Sequence, residues 1–458
     1  MEKYDGIIIG FGKGGKTLAA DLANQGYKIA MIEKSEKMYG GTCINVGCIP
    51  SKSLVKNALM ASRRIFKDFS EREDFYRSAV EEKDKLTSML RKKNFDKLDT
   101  HENITVYHGK ASFLDDHHIL VEMGEGNLEL EGDLIFINTG SVPVLSGMKG
   151  AENVDRIYTS ESLMDEPRLP KRLAIIGGGY IGLEFTSIYR NFGSEVTVFE
   201  YGAHLLPKED EDMAEEIQRV MEEKGIRFHF SSEVQELVHR DHETELSYVD
   251  HHRGIQEKSL FDGVLFATGR KPNTEGLYPD RAEVELTEKG AVKIDDRRRT
   301  TKDHIYAMGD VAGGLQFTYI SLDDYRIVSS DLRKDENPYS VEDRHHVPYS
   351  VFIDPPYSRV GLSEKEALAL GYRVKTGKLP AGAIPKAHIL QETKGMLKVV
   401  VDEDSHRILG AMLFCTESHE LINVIKLAMD MDINYEVLRD QIYTHPTMTE
   451  AFNDLFIL

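Results

Sequence analysis

One glycine pattern occurs twice in this chain of 458 residues, and few features constrain a fold more tightly. Gly10, Gly12 and Gly15 follow the apolar run GIII, and Gly177, Gly179 and Gly182 follow LAII. In each copy the run reads as a β-strand, the glycines as a turn and the residues beyond as a helix. The spacing G-x-G-x-x-G has a physical use. The first glycine turns the chain, the second lets backbone approach a pyrophosphate, and the third lets helix close on strand. The helix N-terminus adds the positive end of a dipole. Each copy leads to a second β-like run ending in an acid, KIAMIE at Glu33 and EVTVFE at Glu200, both 23 residues past the first glycine. A carboxylate there accepts hydrogen bonds from ribose hydroxyls. Strand, glycines, helix and acid recurring together predict two dinucleotide sites. The acid at Glu200 would repel a 2′-phosphate, and the residues after it are Tyr201, Gly202, Ala203 and His204, with no arginine. The second site is therefore expected to prefer NADH, with NADPH disfavoured.

Length and a hydrophobic content of 41% allow several domains, each with its own core. A formal charge of −20 opposes nonspecific affinity for nucleic acid or anionic lipid, and Arg297, Arg298 and Arg299 are too few to reverse it. No apolar run approaches the roughly 18 to 20 residues of a membrane span. The N-terminus lacks a basic segment and a small-residue cleavage site. The expectation is a soluble, cytoplasmic protein with neither nucleic acid nor membrane as partner.

Two of the three cysteines, Cys43 and Cys48, lie five positions apart in GGTCINVGCIPSK. Such a pair can clip a loop, bind a metal or work chemically. Three cysteines cannot staple a chain of this size, and sparse cysteines lean towards metal or redox work. Neither has a histidine nearby in sequence to complete a zinc site. Pro50 suits the first turn of a helix, which places Cys48 near a dipole that favours a thiolate. Cys415 reads as a buried small hydrophobe. The pairs His117–His118, His251–His252 and His345–His346 make poor chelates, because neighbours on a strand point to opposite faces, so no metal site is expected. In HPTMTE, Thr447 and Glu450 match a helix-capping box, and spacing alone does not separate that role from catalysis.

GGTCINVGCIPSK, the two fingerprints, AMGDVAGG near residue 310 and HPTMTE at 445–450 together resemble the two-cysteine flavoprotein disulfide reductases, the superfamily of glutathione reductase, lipoamide dehydrogenase and mercuric reductase. The motifs keep that family's order and span essentially the whole chain. GGLQFTYISLDDYRI (313–327) and LRDQIYTHPTMTEAFNDLF (438–456) look most similar to the reactive-chlorine-resistance flavoproteins and hypothiocyanous acid reductases. The resemblance implies FAD held by Gly10, Gly12, Gly15, Glu33, Thr42, Gly309 and Asp310, and NAD held by Gly177, Gly179, Tyr180, Gly182 and Glu200. It implies a redox-active Cys43–Cys48 disulfide, with Cys48 against the flavin and Cys43 facing substrate as a thiolate once reduced. Lys52, one turn beyond Cys48, would lie near the flavin and pair with Glu184, while Tyr180 covers the nicotinamide pocket. His445 would be an acid–base group oriented by Glu450, reaching the thiols of the other subunit of a homodimer.

The implied architecture is α/β, with two Rossmann-like domains for FAD and NAD and a C-terminal α+β dimerisation domain. The expected divisions are 1–147 and 268–339 for FAD, 148–267 for NAD and 340–458 for dimerisation. The expected activity is NADH-dependent reduction of a small thiol-reactive oxidant, best hypothiocyanous acid to thiocyanate. Dihydrolipoamide dehydrogenase is the rival enzyme reading, and GGLQFTYISLDDYRI argues against it. Mercuric reductase typically adds a C-terminal cysteine pair, which FNDLFIL lacks, and glutathione reductase normally favours NADPH. A non-enzymatic alternative is a metal-binding or structural subunit with a vestigial flavin.

Overall fold

Buried on both faces, the strand Glu2–Ile9 (β1) carries Ile7, Ile8 and Ile9 at 0–4% exposure. That is the signature of a parallel strand at the centre of a covered sheet. It lies in the first of two compact units in a computed structural model that describes residues 2–124, 126–145 and 147–458. This unit comprises the chain up to Leu54, Ser78–Val144 and Gly269–Arg344. After β1 come the helix Lys13–Asn24 (α1), the strand Ile29–Glu33 (β2) and the short helix Thr42–Asn45 (α2). Helices Cys48–Ser62 (α3) and Phe69–Asp99 (α4) follow, then strands Ile104–His108 (β3), Lys110–Phe113 (β4), His118–Met123 (β5) and Gly126–Ile137 (β6). The sheet order is β3-β2-β1-β6-β5-β4. β1, β2, β3 and β6 are parallel, with Ile7 opposite both Ala30 and Ile135. β4 and β5 run antiparallel, and the strand Ile305–Ala307 lies parallel to the C-terminal half of β6.

Alternation along these strands fills two cores. Ile7, Ile9, Ile135, Ile137 and Ile305 face one side. Ile8, Phe136 and Tyr306 face the other, against Leu18 and Leu22 of α1. Each such side chain contributes about 1.5–3 kcal/mol on leaving water.

The second unit comprises Val55–Arg77, Leu145–Thr268 and His345–Leu458. Its parallel sheet runs Arg227–His229, Glu195–Phe199, Arg172–Ile176, Gly263–Phe266, Ile157–Thr159, beside an antiparallel meander of Ser232–Arg240, Glu243–Asp250 and Ile255–Phe261. The C-terminal part is a five-stranded antiparallel sheet in the order Tyr349–Val351, Tyr357–Gly361, Ile408–Phe414, Met396–Asp402, Val374–Pro380. The helix Ser418–Asp430 packs on it through Leu421, Ile422 and Ile425. The chain thus holds two Rossmann-like sheets and a C-terminal α+β domain.

The boundaries between the compact units fall at Val144, Thr268 and Arg344. The second nucleotide-binding segment and the C-terminal segment cluster as one unit, and residues 55–77 belong to that unit rather than to the first. The reason is aromatic packing: Tyr76 is fully buried, its ring edge-on to Phe192 at 5.0 Å and its hydroxyl 3.0 Å from that of Tyr189. Among the described residues no helix is long and apolar enough to cross a membrane.

Candidate active site

The thiol loop is shaped by Gly40 and Gly41, both at positive φ (95° and 79°), where a Cβ at Gly41 would meet the Gly12 Cα at 2.7 Å. Asn45 pins the loop by donating to the carbonyls of Tyr39 and Gly41, each at 2.9 Å, and is itself held by Arg91 Nε at 2.8 Å. Cys43 is half-buried on α2, and Cys48 is the first residue of α3, where the helix dipole favours negative charge. Both are free cysteines in this structure. The Cys43 thiol is pushed well above the ordinary cysteine range by its hydrogen bond with Cys48, by burial and by the charge of Cys48.

Two further groups bear on the thiols. The Thr318 hydroxyl is 3.5 Å from Cys48 Sγ, and it favours ionisation of Cys43. Lys16 reaches from α1 to Asn94 Oδ1 at 2.5 Å, and burial pulls its pKa down to about 8, against the attraction of Cys43. Neither was singled out from the sequence. Thr318 lies within GGLQFTYIS, so that motif itself was the available signal. Lys16 follows Gly15 directly, outside the glycine spacing that drew notice.

The repeated fingerprint is repeated in geometry. Glu33 accepts from the N–H of Phe11 at 3.0 Å and of Ser35 at 3.2 Å. Glu200 accepts from Gly178 at 2.6 Å and Gly202 at 2.7 Å. Each acid therefore ties the residue after the first glycine to the residue two beyond itself. Burial raises the Glu33 pKa. In the first copy a Cβ on Gly10 would meet the Asn138 carbonyl oxygen at 2.4 Å, and one on Gly12 its Oδ1 at 2.6 Å. Gly15 N–H donates to the same Oδ1 at 2.9 Å. No side chain caps α1 at Gly12. The strand Ile305–Ala307 delivers Gly309, at φ 72°, whose N–H donates to Asp324 at 2.7 Å. Asp310 accepts from Ser141 Oγ at 2.7 Å, and burial raises its pKa. Thr42 opens α2 beside Gly41. An uncapped helix end, a backbone cradle without room for side chains and buried ribose-type acids fit FAD.

In the second copy Gly177 is at φ 105°, and a Cβ on Gly182 would strike the Gly177 carbonyl at 2.0 Å. Gly179 precedes the helix Tyr180–Phe192 with no side-chain cap. These residues fit NAD equally well. Glu184, on that helix, is buried and accepts from the Phe352 N–H at 2.9 Å. Lys52 lies on α3 in the first unit. The Tyr180 hydroxyl lies 3.1 Å from the Glu209 carboxylate, to which it donates, and 3.2 Å from the Tyr349 hydroxyl. The side chains of Tyr349, Tyr357 and Arg359 also converge on the buried Glu209. Tyr180 is thus anchored by a carboxylate cluster that no local motif announces.

His445 is 70% exposed, and its Nδ1 lies 2.7 Å from Glu450 Oε2. The other Glu450 oxygen accepts from Thr447 N–H at 3.3 Å, while Thr447 Oγ1 accepts from Glu450 N–H at 3.3 Å. One Glu450 oxygen thus meets the Thr447 N–H, in the reciprocal pattern of a capping box, and the other meets the His445 imidazole. Cys415 is fully buried. Adjacent histidines go separate ways, His118 to Asp115 at 2.8 Å, His251 to Glu233 at 3.1 Å and His346 to Asp430 at 3.1 Å.

A family model described as pyridine nucleotide-disulphide oxidoreductase matches residues 4–324, and its dimerisation domain matches residues 347–456. The chain is 45% identical to the probable pyridine nucleotide-disulfide oxidoreductase RclA of Escherichia coli, over 100% of both chains. It is 32% identical to the dihydrolipoyl dehydrogenase of Mycobacterium tuberculosis, over 100% of this chain and 98% of that one. Its fold is similar to a solved Cu(II) complex of the HOCl-induced flavoprotein disulfide reductase RclA from Escherichia coli, with a TM-score of 0.93, 44% identity and coverage of 100% of this chain and 99% of that one.

Proposed function

The chain belongs to the pyridine nucleotide-disulphide oxidoreductase family, and from that membership we propose that it is an NADH-dependent reductase of a small thiol-reactive oxidant, best hypothiocyanous acid. One observation carries the choice within the family: identity to the RclA relative is 45% over both whole chains, against 32% to dihydrolipoyl dehydrogenase. The placement of Thr318, from GGLQFTYIS, on the Cys48 thiol supports it. The Escherichia coli relative is HOCl-induced, which fits an oxidant as substrate.

FAD, when bound along Gly10, Gly12, Gly15, Glu33, Thr42, Gly309 and Asp310, supplies two-electron relay between nicotinamide and disulfide. Gly177, Gly179, Gly182 and Glu200 hold the dinucleotide, and Glu200 selects NADH by disfavouring a 2′-phosphate. Tyr180 covers the pocket from its anchor on Glu209. Lys52 supplies positive charge beside the relay. The homodimer rests on the C-terminal domain, whose Leu427, Met431, Val437 and Ile442 are 52–100% exposed in the single chain. In it, His445 of one chain serves Cys43 of the other.

The thiol chemistry balances without another reactant. His445, oriented by Glu450, takes the Cys43 proton. The Cys43 thiolate attacks the sulfur of hypothiocyanous acid, the S–O bond breaks, and the imidazolium proton accompanies the departing hydroxide as water. Cys48 then passes its proton to the neutral His445 and attacks Cys43 Sγ, thiocyanate leaves and the disulfide returns, that proton being the one consumed when NADH next reduces the disulfide. The net change consumes one hypothiocyanous acid and one NADH, and forms thiocyanate, water and NAD⁺. Such chemistry belongs in the reducing, NADH-supplied cytoplasm.

Anaerobic stopped-flow tests the assignment. The holoenzyme, reduced by one equivalent of NADH, is mixed with hypothiocyanous acid or with lipoamide while flavin absorbance is followed. Rapid reoxidation by hypothiocyanous acid, lost in Cys43→Ser, is expected. Reoxidation by lipoamide alone would instead establish the dihydrolipoamide dehydrogenase reading, which the 32% identical relatives favour.

A further inference from the structure

Three side chains far apart in sequence meet in the first unit, and the thiol chemistry uses none of them. Asp116 and His117 lie in the turn between β4 and β5, and His304 stands immediately before the strand Ile305–Ala307. All three are half-buried, and one ligand-type atom from each lies within 4.8 Å of the others, the only such trio of His, Cys, Asp or Glu among the described residues.

Hydrogen bonds select the ring nitrogens. His117 Nδ1 lies 2.9 Å from the Gly132 carbonyl oxygen, and His304 Nε2 lies 2.8 Å from the main-chain oxygen of Asp116. A carbonyl only accepts, so each of these nitrogens carries the ring proton. The lone pairs of the neutral rings are then on His117 Nε2 and His304 Nδ1. Metal-binding histidines are commonly oriented in this way, one nitrogen donating to a backbone carbonyl while the other ligates. The scaffold is firm: Gly132 N–H donates back to the His117 carbonyl at 2.9 Å, and Ile135 N–H donates to that of His304 at 3.0 Å. The Asp116 carboxylate is only loosely engaged, 3.8 Å from Lys302, whose ammonium is 2.6 Å from Glu283.

We propose that Asp116, His117 and His304 form a binding site for one divalent cation of the zinc, nickel or copper type. Two imidazoles and a carboxylate suit those metals, whereas magnesium and calcium take oxygen ligands. The rings are stacked, with centroids 4.2 Å apart and planes 10° from parallel, so their lone pairs do not yet converge. A tetrahedral site with 2.1 Å bonds needs ligand atoms about 3.4 Å apart. Binding therefore turns one ring about its Cβ–Cγ bond, a soft torsion, exchanging that ring's hydrogen bond to a carbonyl for the metal contact while the other ring keeps its own, and water completes the shell. The bound cation clamps the β4–β5 turn to the segment that leads into Gly309 and Asp310. The site is independent of the proposed substrate.

The test uses the FAD-loaded dimer carrying Cys43→Ser and Cys48→Ser, so that the thiols cannot compete for metal. Zn²⁺ is titrated calorimetrically, and Co²⁺ absorption reports the ligand geometry. One Zn²⁺ per chain is expected, with a raised melting temperature. His117→Gln, His304→Asn and Asp116→Asn should each weaken binding at least tenfold, while His118→Ala, whose ring is held by Asp115, leaves it unchanged. Flavin content and far-UV circular dichroism verify folding of each variant. Should either histidine variant misfold, Asp116→Asn carries the same expectation. Binding unaltered in Asp116→Asn and the folded histidine variants, or no binding up to about 1 mM Zn²⁺, overturns the site.

Discussion

Thr318→Val isolates the hydroxyl that lies 3.5 Å from Cys48 Sγ. Valine keeps the branched shape and removes the O–H. A hydrogen bond to a charged group is worth about 1.5–3 kcal/mol, and the length of this one places it at the lower end, about 1.5 kcal/mol. At 1.36 kcal/mol per tenfold change in protonation, that moves the ionisation of the dithiol by about one pH unit. The sign follows from which form loses the bond. The thiolate needs a donor more than the thiol does, so its loss moves ionisation to higher pH, and the thiolate population below the midpoint falls about tenfold. Cys43 is already held above the ordinary range by Cys48, burial and charge, so the variant leaves it still more dependent on a base. The assay is alkylation of the dithiothreitol-reduced enzyme by iodoacetamide across pH, with labelled Cys43 and Cys48 quantified by peptide mass spectrometry. The expected midpoint rises by about one unit in Thr318→Val and stays near the wild type in Thr318→Ser. Coincident wild-type and valine curves would refute the role of the hydroxyl, and a serine curve matching valine would assign the effect to packing.

Glu450→Gln should lower turnover about tenfold or more by releasing the His445 ring, with the melting temperature nearly unchanged because the amide oxygen can still accept from Thr447; steady-state kinetics and calorimetry on one preparation check the split. Glu200→Gln keeps an acceptor for Gly178 or Gly202 and removes the charge, so the ratio of kcat/KM for NADH over NADPH should fall about tenfold, as initial-rate measurements with the two nucleotides would show.

Much of the chemistry was legible because it is written in local patterns. The turn at Gly10, the approach at Gly12 and the acids at Glu33 and Glu200 depend on backbone geometry within one βαβ unit, and short segments encode that geometry. HPTMTE was legible as two candidate roles, and the contacts of both are present because one carboxylate has two oxygens. Thr318 was in view within a motif without its contact, since 270 residues separate it from Cys48. Glu209 carried no signal, because its partners Tyr180, Tyr349, Tyr357 and Arg359 come from two distant segments.

The amino-acid sequence by itself determined the two Rossmann-like units, the paired thiols at a helix start and the His445–Glu450 contact near the C-terminus, because each is a local arrangement of turn, helix end and side chain. Tertiary structure alone decided the rest. Aromatic packing of Tyr76 carried residues 55–77 into the second unit. The hydrogen bond with Cys48, together with burial, raised the Cys43 pKa. The pairing of β6 with Ile305–Ala307 and with β5 brought His304 to His117, whereas the sequence neighbour His118 turned to Asp115. Contacts of that kind follow from strand order and register, which are settled by burial over the whole sheet rather than by any segment within it.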